Sequence, residues 1–345
     1  MPIYNPIDGL KCLMEQRHIE KSEGHFPDGR DFVKLFAEIE EYLNTNVHPN
    51  TVLGAALHGD GLLTDHGVEH VQMVIRNAHF LLQTKQVGTS IDKLNGCEML
   101  VLLLAAHFHD VGNIFGREGH ERKINEIIDQ LGDRWTLDTP ETSIIEAIAM
   151  AHGGHAGDDT ADKDTLRLLE RESYWVNIPL RPAVLASVLR FADEISDDNT
   201  RASRFFNSAG IIPEKSKIFH EYSLALSPIT INGNVISFRY YIKVDKVHQK
   251  ISTGNGQHRY LYDEILHRLR KCLCELEYCR KYADGLISTT TLNAELNIMP
   301  AHGRKPIKTT KFSLSLKGYP SIDSTVIDTL EYQSGEDLNN AITEA

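Results

Sequence analysis

Long apolar runs are missing from this chain of 345 residues. The longest, residues 99–106, is far short of the roughly 20 residues a membrane-spanning helix needs. It reads as part of a buried core helix. The opening MPIYNPIDGLKC lacks the basic-then-apolar order of a secretory leader, so a cytoplasmic protein with no membrane association is expected. Cysteine is scarce: Cys12, Cys97, Cys272, Cys274 and Cys279 are an odd number with no CxxC spacing. That argues for reduced thiols and against a disulfide framework or a cysteine-bound zinc. Positive charge is in deficit, with 36 Lys and Arg against 48 Asp and Glu and a net charge of −12. Non-specific binding to a polyanion is thereby disfavoured, while a small anionic ligand stays open, because nearby cations set the field at a site. Internal repeats and low-complexity stretches are absent, and no Lys or Arg follows Lys317. Residues 321–345 therefore read as an acidic tail, in part disordered.

What is present is ordinary globular composition, 41% hydrophobic and 24% charged, in a length that suits one large helical domain and a smaller second one. Residues 31–43 carry apolar side chains at helical spacing. Residues 68–82 read as a helix with Val71, Val74, Ile75, Ala78 and Leu82 inward, and residues 98–108 as the all-apolar central helix of a bundle. Residues 120–131, 143–151 and 181–195 complete the helical set, the last with Pro182 in its first turn. After about residue 206 the texture changes. Residues 221–230 and 235–244 look strand-like, and Asn232-Gly233 between them signals a two-residue hairpin. A long amphipathic helix over 260–282 and two further strands, 286–298 and 309–316, follow. The fold class expected is mainly α, a helical bundle with a smaller C-terminal α+β unit.

Seventeen histidines are many for this length, and their placement is the informative part. His66 and His70 are four apart and share a face at the start of one helix. His109-Asp110 ends the central apolar helix and is followed by Val111-Gly112. His120 opens a helix after the glycine-flanked GNIFGREGH, and His152 closes another, with Gly153, Gly154 and His155 after it. Asp193 lies in the otherwise apolar LASVLRFADEIS, where an unpaired carboxylate would be costly. Ligand-type side chains thus recur at the ends of apolar helices, which can converge at one mouth of a bundle. Imidazole nitrogens with carboxylate oxygens suit Mn, Fe, Zn, Co or Ni better than an all-oxygen calcium site.

The order H…HD…H…H…D, carried by His70, His109-Asp110, His120, His152 and Asp193, resembles the HD-domain phosphohydrolases. The resemblance covers roughly residues 63–206, through LTDHGVEHVQMV, LLLAAHFHDVGNI, GREGHERK, AIAMAHGGH and LRFADEISD. An HD pair alone is weak; five segments in order on fitting elements are specific. The resemblance implies an HD-type bundle over 51–206, preceded by a helical lead-in over 1–50 and followed by the α+β accessory unit over 207–320. It implies one or two divalent ions, with Mg added to the metals above. His70, His109, Asp110 and Asp193 would hold the first, and Asp110 would bridge to a second on His120 and His152. His66-x-x-x-His70 also resembles the start of the cyclic-nucleotide phosphodiesterase motif, which implies a general-acid role for His66.

Plainer readings stand beside these. His109-Asp110 could be a helix end with a satisfied core histidine, and Asp193 could pair with Arg190 or Arg201. His120 and His152 could be polar helix-end residues around a single metal, and His66 an exposed first-turn histidine. His58, His79, His107 and the histidines after residue 215 read as surface or core; the HFH at His107 is a spacing accident, since alternate residues of a helix face apart. For phosphate, Arg117, Lys123, Arg201 and Arg204 are candidates, with His155 an extra ligand or substrate donor; solvated surface charge is the alternative for each cation.

The function expected is hydrolysis of a nucleotide, a (deoxy)nucleoside triphosphate first among them, by a hydroxide generated at the metal with His66 as proton donor. Cyclic or linear nucleotide phosphodiesterase and nucleoside monophosphate phosphatase are the alternatives. A non-catalytic nucleotide-sensing module is another, and the full ligand set counts against it. After His152 the chain reads GGHAGDDTADKD rather than the GYP-bearing stretch of cyclic-di-GMP-degrading relatives, and no nucleotidyltransferase, synthetase or helicase motif flanks the HD region. The α+β unit is expected to make homo-oligomer contacts through strand edges or to bind a nucleotide effector, with Arg304, Lys305, Lys308 and Lys311 as its basic stretch.

Overall fold

Where apolar residues fall three and four apart, the chain is helical. The computed structural model describes residues 9–20, 24–27, 29–57, 64, 66–83, 93–131, 135, 137–253, 256–316 and 330–343. It is mainly α with a smaller α+β part. The described residues form two units, the first within Met1–Asp60, His66–Ser196 and Tyr278–Ser288, the second within Gly61–Asp65, Asp197–Glu277 and Thr289–Ala345.

The first unit holds α1 (Gly9–Ile19), α2 (Phe32–Tyr42), α3 (Thr51–Leu57), α4 (Val68–Leu82), α5 (Gly96–Phe108), α6 (Ile124–Leu131), α7 (Thr139–Met150) and α8 (Pro182–Glu194). A small hairpin of β1 (Ser173–Trp175) and β2 (Ile178–Leu180) precedes α8. All 13 residues of α5 are buried, and α1, α2, α4, α7 and α8 pack on it; a helix apolar all round is stable only when so surrounded. The stretch Gly96–Phe115 has the length and hydropathy of a membrane span, and 89% of it lies inside the protein. A capping box starts α5: Asn95 Oδ1 accepts from the Glu98 N–H at 2.8 Å, and Glu98 Oε2 from the Asn95 N–H at 3.0 Å. The buried Glu98 carboxylate is matched by Arg181, whose Nε and Nη2 lie 2.7 and 2.8 Å from its two oxygens. Arg181 immediately precedes Pro182, the first residue of α8. One ion pair therefore fixes the starts of both helices. Asp138 and Glu141 cap α7 in the same way, with Arg30 on Glu141.

The inward face of α4 is the one the spacing predicts, Val71, Val74, Ile75, Ala78 and Leu82, and it also buries His70 and Asn77. Asn77 Nδ2 donates to Ser196 Oγ at 2.9 Å, tying α4 to the residues after α8. The returning segment Tyr278–Ser288 is pinned by its tyrosines. Tyr278 and Tyr282 donate to Asp164 Oδ1 at 2.9 and 2.7 Å, the Leu166 N–H donates to Tyr278 at 2.9 Å, and the Arg190 guanidinium lies 4.6 Å over the Tyr278 ring.

The second unit contains α9 (Arg204–Ser208), α10 (Glu214–Ala225), β3 (Thr230–Asn232), β4 (Val235–Lys243), α11 (Val244–Val247), β5 (Lys250–Ser252), β6 (His258–Tyr260) and α12 (Leu261–Tyr282). Then come β7 (Thr291–Met299), β8 (Lys308–Ser315) and α13 (Gly335–Thr343). Its main sheet runs β3-β4-β7-β8, antiparallel except for the parallel β4–β7 pair. A parallel pair needs a long connection, and α12 lies within it. Along β4, Ile236, Phe238, Tyr240 and Ile242 are buried while Arg239, Tyr241 and Lys243 are exposed, the alternation of a sheet covered on one face.

Three sequence expectations need correction here. The strand expected over 221–230 begins only at Thr230: α10 runs to Ala225, and Ile218, Tyr222 and Ala225, buried at steps of four and three, show why. The hairpin forms, but its turn is Gly233-Asn234, with Gly233 at φ +60 in the first central position, where a left-handed residue matches the twist of the strands. Within the expected acidic tail, α13 buries Leu338 and Ile342. His58, residues 317–329 and residues 344–345 lie outside the described residues.

Candidate metal centre

Four of the helices just described, α4, α5, α7 and α8, and one further turn have an end at one place. His66 precedes α4 and His70 sits in its first turn; His109 and Asp110 follow the last residue of α5. His120 opens a 3-10 turn, His120–Lys123, His152 follows α7, and Asp193 is in the last turn of α8.

Two groups of donor atoms result, one of His70, His109, Asp110 and Asp193, the other of Asp110, His120 and His152, all within 4.8 Å of one another inside each group. Asp110 belongs to both and divides its oxygens between them. Oδ2 faces His70 Nε2 at 3.4 Å and His109 Nε2 at 3.3 Å. Oδ1 faces His120 Nε2 at 3.1 Å and His152 Nε2 at 3.8 Å. Asp193 Oδ1 closes the first group, 3.1 Å from His70 Nε2 and 3.7 Å from His109 Nε2.

The imidazoles are held in one sense. His109 Nδ1 lies 2.7 Å from the Ala106 carbonyl, His152 Nδ1 2.6 Å from Ala149 and His120 Nδ1 3.1 Å from Arg117. Carbonyls only accept, so each Nδ1 carries the proton and each Nε2 presents a lone pair to the cluster. A backbone acceptor on the far nitrogen is how metal-ligating histidines are oriented. Among the described residues, His109 Nε2 and both ring nitrogens of His70 are buried without a hydrogen-bond partner, which would cost about 1–3 kcal/mol each if left so. The donor set therefore fits a divalent cation, and its nitrogen and oxygen mixture suits a first-row transition metal.

The electrostatics show what a cation would replace. Burial would lower the His109 imidazole, but Asp110 and Asp193 beside it prevail and raise it to about 10, so a metal at its Nε2 would take the place of a proton there. Burial would raise both carboxyls, yet the facing imidazoles hold Asp110 and Asp193 well below the usual carboxylate range. Burial and then the neighbouring His109 push His152 down to about 3, keeping it a neutral donor. Two ionised carboxylates thus sit in a buried cluster that draws positive charge. The access side is marked by Asp193, whose side chain is 25% exposed, whereas His70 and His109 are fully enclosed.

The remaining candidates divide. His66 joins the cluster, its Nδ1 2.6 Å from Asp110 Oδ2. Arg117 reaches it too, with Nη1 3.7 Å from Asp110 Oδ1. Lys123 donates to the Phe115 carbonyl at 2.8 Å, and His155 Nδ1 lies 2.8 Å from the Gly157 carbonyl and 3.1 Å from the Arg122 guanidinium; neither enters the two donor groups. Arg201 and Arg204 belong to the second unit. Arg190 donates to the Thr165 hydroxyl at 2.8 Å, while Asp193 faces the imidazoles. His107 is buried against His48, 3.2 Å between ring nitrogens. Residue types alone did not point to Asn113 and Glu121. Asn113 Nδ2 donates to Asp110 Oδ1 at 2.9 Å, three residues on in the same turn, and buried Glu121 lies 3.3 Å from His120 Nδ1. The HDxxN spacing was the available signal for the first.

A model of the HD-CE family matches residues 60–271, the segment that carries every donor named above. The chain belongs to the HD-CE family and contains an HD-type domain. No match was found among curated proteins or solved structures.

Proposed function

We propose that this protein is a metal-dependent phosphohydrolase acting on a nucleotide, with (deoxy)nucleoside triphosphates as the leading substrates. The observation that carries the reading is the division of the Asp110 carboxylate, one oxygen toward each group of imidazole lone pairs. A divalent ion in such a centre supplies a water of lowered pKa and positive charge beside the phosphoryl oxygens. The chain's own residues supply the rest. Asp110 is kept ionised and is oriented by Asn113. His66 donates its Nδ1–H to Asp110, and a proton on its other ring nitrogen can pass to the leaving oxygen. Arg117 is the cation best placed to take a phosphate oxygen. The nucleotide class is supported by the resemblance to HD phosphohydrolases, the phosphoryl chemistry by the donor set.

The test is incubation of the purified protein with Mn²⁺ and separate panels of dNTPs, nucleoside monophosphates and cyclic dinucleotides, read by product. Tripolyphosphate with nucleoside is expected, and Asp110→Asn should abolish its release. Orthophosphate from a monophosphate, or opened cyclic dinucleotide, would move the substrate to those classes. No turnover of any panel by protein shown to hold metal would overturn the assignment.

A further inference from the structure

Arg117 stands on a short loop between Gly116 at φ +100 and Gly119 at φ +63. Its Nη1 lies 3.2 Å from Asn113 Oδ1, 3.5 Å from His120 Nε2 and 3.7 Å from Asp110 Oδ1. The His120 contact matters most. Since His120 Nδ1 donates to the Arg117 carbonyl, His120 Nε2 is the lone-pair nitrogen, and Arg117 donates to it. That lone pair and Asp110 Oδ1 are two of the three donors of the second group. A guanidinium keeps its charge throughout the physiological range, and a second cation against the same two atoms would be strongly repelled. In the first group the ring nitrogens of His70 and the Nε2 of His109 have no hydrogen-bond partner among the described residues, and Asp110 Oδ2 meets the imidazole of His66, a group that can release its proton where a guanidinium cannot.

We propose that Arg117 is the resident counter-ion of the second donor group and makes the two halves of the centre unequal. A cation binds tightly at His70, His109, Asp110 and Asp193, and a second binds at Asp110, His120 and His152 only by displacing Arg117. The side chain is 45% exposed, so it can swing aside without unpacking the core. Once displaced, the guanidinium remains beside the centre with its fork turned to a phosphate. Arg117 is thus a positioning residue that couples metal count to anion binding, an inference that rests on reading the cluster as a metal centre.

Calorimetric titration of the full chain with Mn²⁺ tests this, with bound metal counted independently and Mn²⁺ spin coupling read by electron paramagnetic resonance. Wild type should bind two ions with affinities at least tenfold apart. Arg117→Gln and Arg117→Met, two neutral variants checked for native melting, should tighten the weaker site tenfold or more, leave the stronger within twofold and strengthen the coupled signal. Arg117→Lys, which keeps the charge, should keep the gap. Equal affinities in wild type overturn the proposal. So does a weaker site that is unchanged, lost or loosened in both neutral variants. If wild type binds no Mn²⁺, or binds it unchanged after Asp110→Asn, the metal-centre reading itself fails.

Discussion

Gly112, two residues after Asp110, shows how closely the centre is built. A Cβ added there would lie 1.9 Å from the His120 carbonyl oxygen, a backbone atom that cannot turn away. This close approach is what brings the His120 turn onto Asp110. Gly112→Ala is expected to destabilise the protein by about 2 kcal/mol and to lose metal from the second donor group. Urea unfolding and metal analysis check it, and an unchanged midpoint with full metal content would contradict it. His48 carries a pH prediction. Burial, then the neighbouring His107, keeps its imidazole well below the ordinary histidine value. The folded state therefore favours the neutral ring, while the unfolded chain takes up a proton near pH 6.5. The associated stability is present above that pH and is lost as pH falls below it. Thermal melts between pH 7 and 5 should show a steep loss in wild type and a shallower one in His48→Gln; parallel curves would dismiss His48 as the cause. At this scale the sequence was informative about donors, because a histidine or aspartate at the end of an apolar helix stands out against its neighbours. Beyond the HDxxN spacing it offered nothing on Asn113, and it was silent on Glu121, because the importance of both lies in which atoms they meet.

Helices α4, α5 and α8 were legible to within two residues, since their apolar spacing and, for α8, Pro182 are local signals. Residues 221–230 misled because Tyr222, Leu224 and Leu226 alternate while the burial that decides the element follows a step of four and three through Ile218, Tyr222 and Ala225. The Glu98–Arg181 pair gives the element-scale prediction. Glu98 has a side chain only 2% exposed, so Arg181→Met leaves a buried carboxylate without its cation, a change that costs about 3–5 kcal/mol when a buried pair is broken. A shift in urea midpoint of that size is expected, with partial recovery in Glu98→Gln/Arg181→Met. A loss below 1 kcal/mol would show that the pair contributes little.

For the whole molecule, a homo-oligomer is expected. Light scattering on a sizing column should give a multiple of 38.9 kDa, and a single species at that mass at micromolar concentration would refute it. The mainly α class and the appended α+β part could be read from the change of texture near residue 206. The interleaving of the two units could not, because nothing local to Tyr278–Ser288 announces which earlier residues it packs on.

That return has a consequence for synthesis. Asp164 meets Tyr278 and Tyr282 only after more than a hundred further residues have been made, so a nascent bundle must wait on the ribosome with that flank open. Fragments cut near residue 206 or 271 would deprive Arg190 and Asp164 of their aromatic clamp, and they should be poor surrogates for the intact polypeptide in any assay of the centre.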